Sequence, residues 1–258
     1  MQASKIVMLT SGSASSRYLF NGLVAKGVAI DAVILEKSIA KNKLFKGRRK
    51  KLGWTAIFGQ LLFIVLIPKL LNILSNSYRK QLVSALKLNG SPINGVTVYS
   101  VASVNNKSCK ALLQQLNPDI VVVNGTRIIR SDILDSIQGI FVNTHVGITP
   151  AYRGVHGGYW ALASGDKKNF GVTVHLVNAG IDTGDILYQK HLIPAKQDNF
   201  VTYPLLQIAA GIDLMHKVIE DVNKKRLQPK SHKNGNGQLW YHPTLLFYLK
   251  TLLRYGIK

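Results

Sequence analysis

Seven short runs rich in β-branched residues punctuate the chain: "KIVMLT", "AIDAVIL", "GVTVYSV", "DIVVVNG", "GIFVNTH", "FGVTVHLV" and "DILYQKHLI". Patterns of helical period separate several of them. Strands that alternate with helices form βαβ units, so the expected fold class is α/β, a sheet with helices packed on its faces. Ile120 to Val123 is apolar without interruption, as a strand covered on both sides must be.

The helical patterns carry their own stop and start signals. Ser15 to Lys26 reads as a first helix ended by Gly27, and Asn105 to Leu116 as another ended by Asn117-Pro118. Ser131 is the expected N-cap of a short helix before Gly139. Leu205, Ile208, Ala209, Ile212, Met215, Ile219 and Val222 recur at helical spacing and predict a long helix lying against the sheet.

Two segments stand outside this plan. Residues 38–94 form an insert that opens on "KNKLFKGRRKK", with seven basic residues from Lys41 to Lys51, and continues through an apolar stretch from Thr55 to Leu74. Gln60, Pro68, Lys69 and Asn72 interrupt that stretch, so a helix on a surface or packed on the domain is expected rather than a membrane span. Residues 226–258 form the other segment. In it "KSHKNGNGQ" reads as a flexible link, and "LWYHPTLLFYLKTLLRYGIK" as an amphipathic extension that caps the domain, pairs with the insert or lies on a bilayer. The expected organisation is therefore a catalytic domain over 1–225, carrying the insert, and an extension over 226–258.

Charge narrows the partners. Thirty-three Lys and Arg against 12 Asp and Glu give a formal charge of +21, which favours phosphorylated small molecules, nucleic acid or an acidic membrane surface. No zinc spacing or recognition-helix motif accompanies the charge, so no specific nucleic acid is expected. The seven His residues include no metal-binding helix pair and the single Cys109 no cysteine cluster, so no metal is expected either. One cysteine and an N-terminus without a signal-peptide pattern suit the cytoplasm, with the basic segments admitting a peripheral position at the inner face of the membrane.

The chemistry concentrates where strands end. In an open parallel sheet, ligands bind beyond the carboxyl ends of the strands. Asn143 falls at that end of "GIFVN", His145 follows it, and "NGTRII" occupies the same end of the preceding strand. Thr173 and His175 share one face of the "GVTVHL" strand, and Asp182 sits between glycines in "NAGIDTGD". An Asn amide and an imidazolium can stabilise negative charge on a carbonyl oxygen. A carboxylate would favour and orient the imidazolium and help carry a proton from an attacking nitrogen. Asn143, His145 and Asp182 together make a workable acyl-transfer site.

"NTHVGITPAYRGVHG", followed by "GVTVHLVNAGIDTGDIL", resembles the core of the 10-formyltetrahydrofolate-dependent formyltransferases, nearest in wording to the phosphoribosylglycinamide branch, over most of 5–35 and 96–225. The resemblance implies a Rossmann-like, mostly parallel sheet, 10-formyltetrahydrofolate as donor, and Asn143, His145 and Asp182 as catalytic residues. It puts Arg127, Ile128, Ile129, Thr183 and Gly184 beside the folate. On the acceptor side it puts Gly12, Ser13, Ser15, Arg153, His156, Thr173 and His175, around the amine of an anionic small molecule. The loop "SGSASS" departs from the family's phosphate cradle, and the insert and tail have no counterpart in the compact branch, so glycinamide ribonucleotide and an amino sugar both remain as acceptors. Methionyl-tRNA is disfavoured, because the region after the core lacks the length of a further tRNA-binding domain. A formyltetrahydrofolate hydrolase and a non-catalytic membrane-surface or anionic-ligand module on the same fold are the alternatives. The sequence does not fix the oligomeric state.

Overall fold

The computed structural model describes residues 3–37, 41–231 and 237–258, with the side chains of 41–52 outside that description. In chain order, the first half holds β1 (Ile6–Thr10), α1 (Ala14–Ala25), β2 (Ala32–Glu36), α2 (Lys41–Leu74), α3 (Asn76–Ala85), β3 (Thr97–Val101), α4 (Lys107–Leu116) and β4 (Ile120–Asn124). The second half begins with α5 (Ser131–Leu134), β5 (Ile140–His145), β6 (Tyr152–Gly154), α6 (Gly157–Ala163) and β7 (Gly171–Leu176). It ends with β8 (Ile186–His191), α7 (Tyr203–Asn223), β9 (Gln238–Trp240) and α8 (Leu245–Tyr255).

All seven apolar runs become strands of one sheet, in the order β3-β2-β1-β4-β5-β7-β8. The first five are parallel, while β7 runs antiparallel to β5 and β8 antiparallel to β7. This is the Rossmann-like, mostly parallel arrangement. Every residue of β1 and β4 is buried, which is why neither shows polar alternation.

Helices cover both faces. On one side α1 and α7 close over Met8, Val122, Val142 and Val174. Gly22 lets these two helices approach, since a Cβ there would lie 2.6 Å from Ile212 Cδ1. On the other side α4 and α5 close over Val7, Leu9, Val121 and Val123, with Cys109 fully buried among them. Asn117 ends α4 in the left-handed conformation (φ 43°), and Pro118 prevents its continuation. The same helix begins two residues later than its period suggests, because the Asn105 side chain is bonded to Ile128 O and Arg130 N instead. Ser131 is the first residue of α5, and Arg130 is its cap.

A third core joins the two unusual segments to the domain. Phe63 and Ile67 of α2, Tyr159 and Trp160 of α6, Phe200 from the loop before α7, and Tyr248 of α8 pack together. The Phe63 and Tyr248 rings lie 5.3 Å apart, and a Cβ on Gly59 would lie 2.9 Å from Thr244 Cβ, so the insert and the tail are in direct contact. Upstream of α8, β9 pairs parallel with β6, and Trp240 stacks on Trp160 at 4.4 Å. The extension thus caps the domain and pairs with the insert at once. Most of the link read over 230–238 lies outside the described residues, but both flanks are tied: Lys230 bridges to Ile186, and the Arg153 guanidinium donates to Gly237 O. The basic run at 41–51 belongs to α2, with its side chains outside the described residues.

Candidate active site

The site forms where β5 changes from a parallel to an antiparallel neighbour. That pairing sets Asn143 opposite His175 and His145 opposite Thr173, so four polar side chains fall on one face at the strand end. Asn143 Nδ2 stands 3.2 Å from His175 Nε2. His175 Nδ1 is 2.7 Å from Leu176 O and donates its hydrogen there, so a neutral His175 accepts from Asn143 through Nε2. Because Nδ2 carries two hydrogens, Asn143 keeps one for another acceptor.

Asp182 completes the group from the loop between β7 and β8. Its Oδ2 lies 3.4 Å from His145 Nδ1 and its Oδ1 lies 3.6 Å from His175 Nε2. Gly154 N–H donates to Oδ2 at 2.8 Å. Asp182 holds φ 51°, a left-handed conformation that costs a non-glycine residue about 1 kcal/mol or more and is maintained here by its contacts. Gly184 is required close by, since a Cβ would lie 1.6 Å from Leu176 O. Burial by itself would raise the Asp182 carboxyl, but the His145 charge and the Gly154 N–H outweigh it and hold it at about 2, below the ordinary 3.8.

His145 is engaged on both sides. Its Nε2 lies 2.7 Å from Tyr152 O and donates to that carbonyl, while Nδ1 faces Asp182. A hydrogen bond from His145 to a substrate oxygen therefore requires sharing or exchange of the Tyr152 bond, a restriction that the sequence reading lacks. Gly147 is confined here as well, as a Cβ would lie 2.7 Å from His145 Nε2.

The other expected residues divide between the site and its supports. Thr173 is fully buried; its hydroxyl donates to Gly147 O and accepts from Thr149 N and Gln189 Nε2, which pins the loop after β5. Arg127 pairs with the buried Glu36 at 2.9 Å and donates to Lys37 O and Ala102 O, so its side chain ties the ends of three strands. Ile129 is buried in the core, whereas Ile128 is 53 % exposed. Thr183 donates to Asn178 Oδ1. Arg153 holds the tail through Gly237. His156 lies 3.0 Å from His242 and against the Phe200 ring, and burial with the neighbouring His242 holds its imidazole down at about 3, so it is neutral there. The serines of the first loop bond one another and Asn124: Ser13 Oγ lies 2.9 Å from both Ser15 Oγ and Ser16 Oγ, and Ser16 Oγ donates to Asn124 Oδ1. Gly12 there has φ 70°.

Tyr152, Gly154 and Glu36 are the contributors that sequence reasoning missed. The first two act through backbone atoms, for which residue type is no signal. Glu36 was legible only as a carboxylate at the end of an apolar strand. Among the described residues no group of three or more His, Cys, Asp or Glu is placed to hold a metal ion.

The chain is a Rossmann-like α/β protein with a mostly parallel sheet and with an amide, an imidazole and a carboxylate gathered at one strand end. The sequence model of the formyl transferase family matches residues 69–203, just over half of the chain, and the chain belongs to that family of formyltransferase enzymes. The match includes the last part of the insert. Methionyl-tRNA formyltransferase of Finegoldia magna is 37% identical over 134 residues, 50% of this chain and 42% of that protein. The same-named protein of Ehrlichia ruminantium (strain Welgevonden) is 35% identical over 145 residues, 56% of this chain and 47% of that one. The matched part thus spans about half the length of these curated relatives. Among solved structures, glycinamide ribonucleotide transformylase 1 from Symbiobacterium toebii superposes with a TM-score of 0.58 at 20% identity, covering 88% of this chain and 90% of that chain. A sugar N-formyltransferase from Shewanella sp FDAARGOS_354 gives 0.56 at 18% identity, covering 96% and 87%. At these identities the structures speak for the fold.

Proposed function

We propose that the protein moves a formyl group from 10-formyltetrahydrofolate to a primary amine on a phosphorylated or nucleotide-linked small molecule, in the cytoplasm. The observation that carries this reading is the convergence of Asn143, His145, His175 and Asp182 within hydrogen-bond or ion-pair range at the end of β5. The donor set suits an acyl carbonyl: one amide hydrogen is uncommitted on Asn143, and an imidazole stands beside a carboxylate. The folate supplies the activated formyl carbon, with the exposed Ile128 and the loops around Arg127, Thr183 and Gly184 as its wall.

In this reading Asn143 donates to the carbonyl oxygen as negative charge grows there. His175 fixes the Asn143 amide by accepting its other hydrogen. Asp182 holds the His145 ring through Nδ1, which sets the imidazole beside the same oxygen. The attacking nitrogen loses a proton as its bond to the formyl carbon forms, and the folate nitrogen takes one up as its bond to that carbon breaks and tetrahydrofolate leaves; a carboxylate held at about 2 is a weak base, so Asp182 orients and balances charge more than it stores that proton. The acceptor phosphate is assigned to the first loop, where Gly12, Ser13 and Ser15 precede or open α1. Arg153, His156 and Thr173 shape the acceptor side through the loop and tail they hold. The catalytic unit in this reading is 1–225, with 226–258 as its extension.

The test is a screen of phosphorylated and nucleotide-linked amines, glycinamide ribonucleotide and amino sugars included, with 10-formyltetrahydrofolate and detection by mass spectrometry. A formylated amine supports the reading. Formate release that is equally fast without any amine contradicts it.

A further inference from the structure

We propose that the outer faces of α2 and α8 form one membrane-seating surface, which lies in the interface of an anionic bilayer without crossing it. Within the part of α2 from Trp54 to Leu74, the most apolar 18-residue window has a mean hydropathy of 2.1, yet only 17% of it is buried. A core helix would show the reverse. Trp54, Phe58, Leu61 and Val65 are 70%, 63%, 38% and 56% exposed, and their spacing places them on one stripe. On the neighbouring α8, Leu246 and Leu253 are 80% and 86% exposed while Tyr248 and Thr251 face inward. The two helices meet through Phe63 and Tyr248, so both exposed stripes flank one seam. Scattered exposed apolar residues are ordinary, but two adjoining stripes of this size mark a contact surface.

Charge selects the occupant. All 12 acidic residues lie within 31–36 or 119–221, so neither the insert nor the last 37 residues contains one. Both segments are basic, with exposed Lys69 on α2 and Lys250 and Arg254 on α8 beside the apolar stripes, and with the Lys41–Lys51 run directly preceding Trp54 in the chain. Apolar residues rimmed by Lys and Arg, with no acid, suit anionic lipid headgroups. A second copy of a chain at +21 would bring like charges together.

The connections decide between lying and spanning. The chain enters the insert from β2 and leaves it into β3, parallel strands of one sheet, so both ends of the insert are anchored in the same domain and therefore on the same side of a bilayer. Returning across a bilayer would need a second apolar helix, and α3 has ten residues including Arg79 and Lys80. Phe63 is also fully buried and Tyr78 donates to Asp198, which fixes α2 and α3 to the domain.

The experiment is flotation of the full chain with vesicles of phosphatidylcholine alone or mixed with phosphatidylglycerol, at low and high salt, for the wild type and for Leu246→Glu combined with Leu253→Glu. Phe58→Glu is the independent variant on α2. These side chains are exposed, and unchanged circular-dichroism melts establish that the variants fold. Flotation with the anionic vesicles, weakened by salt and reduced about tenfold by either variant, is expected. A wild type that stays down with both vesicles overturns the proposal, as does unaltered flotation of both variants. A wild-type dimer in sedimentation that the double variant converts to monomer, without vesicle binding, assigns the surface to a second copy and also overturns it. Formyl transfer to a soluble acceptor is a separate readout, so failure here leaves the catalytic reading untouched.

Discussion

His145 bridges Asp182 and the backbone of Tyr152: its Nδ1 lies 3.4 Å from Asp182 Oδ2 and its Nε2 lies 2.7 Å from Tyr152 O. A ring held at both nitrogens has a fixed orientation. Because Tyr152 begins β6 and β6 pairs with β9, the position of this ring depends on the C-terminal extension.

Replacing Asp182 by Asn keeps the shape and removes the charge. Formyl transfer should fall by about 10²- to 10³-fold, and Asn143→Ala should cost a similar factor through the lost amide donor. Steady-state kinetics on both variants check this, with the loss expected mainly in kcat.

Acid should uncouple the same group. The folded-state Asp182 carboxyl is depressed to about 2 from 3.8, so its ionised form stabilises the fold above pH 3.8 and the contribution disappears as pH falls through about 2. The shift corresponds to roughly 2 kcal/mol. Urea unfolding of the wild type and Asp182→Asn should therefore show a gap near neutrality that narrows between those two pH values.

Gly184→Ala should damage the site by sterics alone. The new methyl would press on the Leu176 carbonyl, which orients His175, and the β7–β8 loop carrying Asp182 would have to move. A stability loss of about 1–3 kcal/mol is expected, with a drop in kcat larger than that stability loss explains. Thermal melts and kinetics on one preparation separate the two effects.

Trp240→Ala should act from a distance. Its ring stacks on Trp160 at 4.4 Å and on Tyr152 at 6.0 Å, and because it is only partly buried its removal should cost about 1–3 kcal/mol. Looser β6–β9 pairing should also raise hydrogen exchange at Gly154 N, the donor to Asp182.

The sheet was legible because its strands are written as apolar runs, and long buried strands leave little ambiguity in composition. The α2–α8 pairing was less legible: periodicity shows that each helix has an apolar side but not what covers it. Asn143 and His145 could be singled out by residue type at the end of a strand, and Asp182 by its place between glycines in the loop that follows β7. Arg127 could not be placed, because its guanidinium turns toward Glu36, which is 91 residues away in sequence. The backbone partners of the site, Tyr152 O and Gly154 N–H, follow from a β6–β9 pairing in which β9 has only three residues, too few to carry a period.

The most direct measurement follows an isotopically labelled formyl group from 10-formyltetrahydrofolate to the amine acceptor identified by the screen, for the wild type, Asn143→Ala and Asp182→Asn. Label on the amine with the wild type, reduced at least about 10²-fold in both variants while their melts are preserved, is the predicted result. Label transferred equally well by all three proteins would contradict the account.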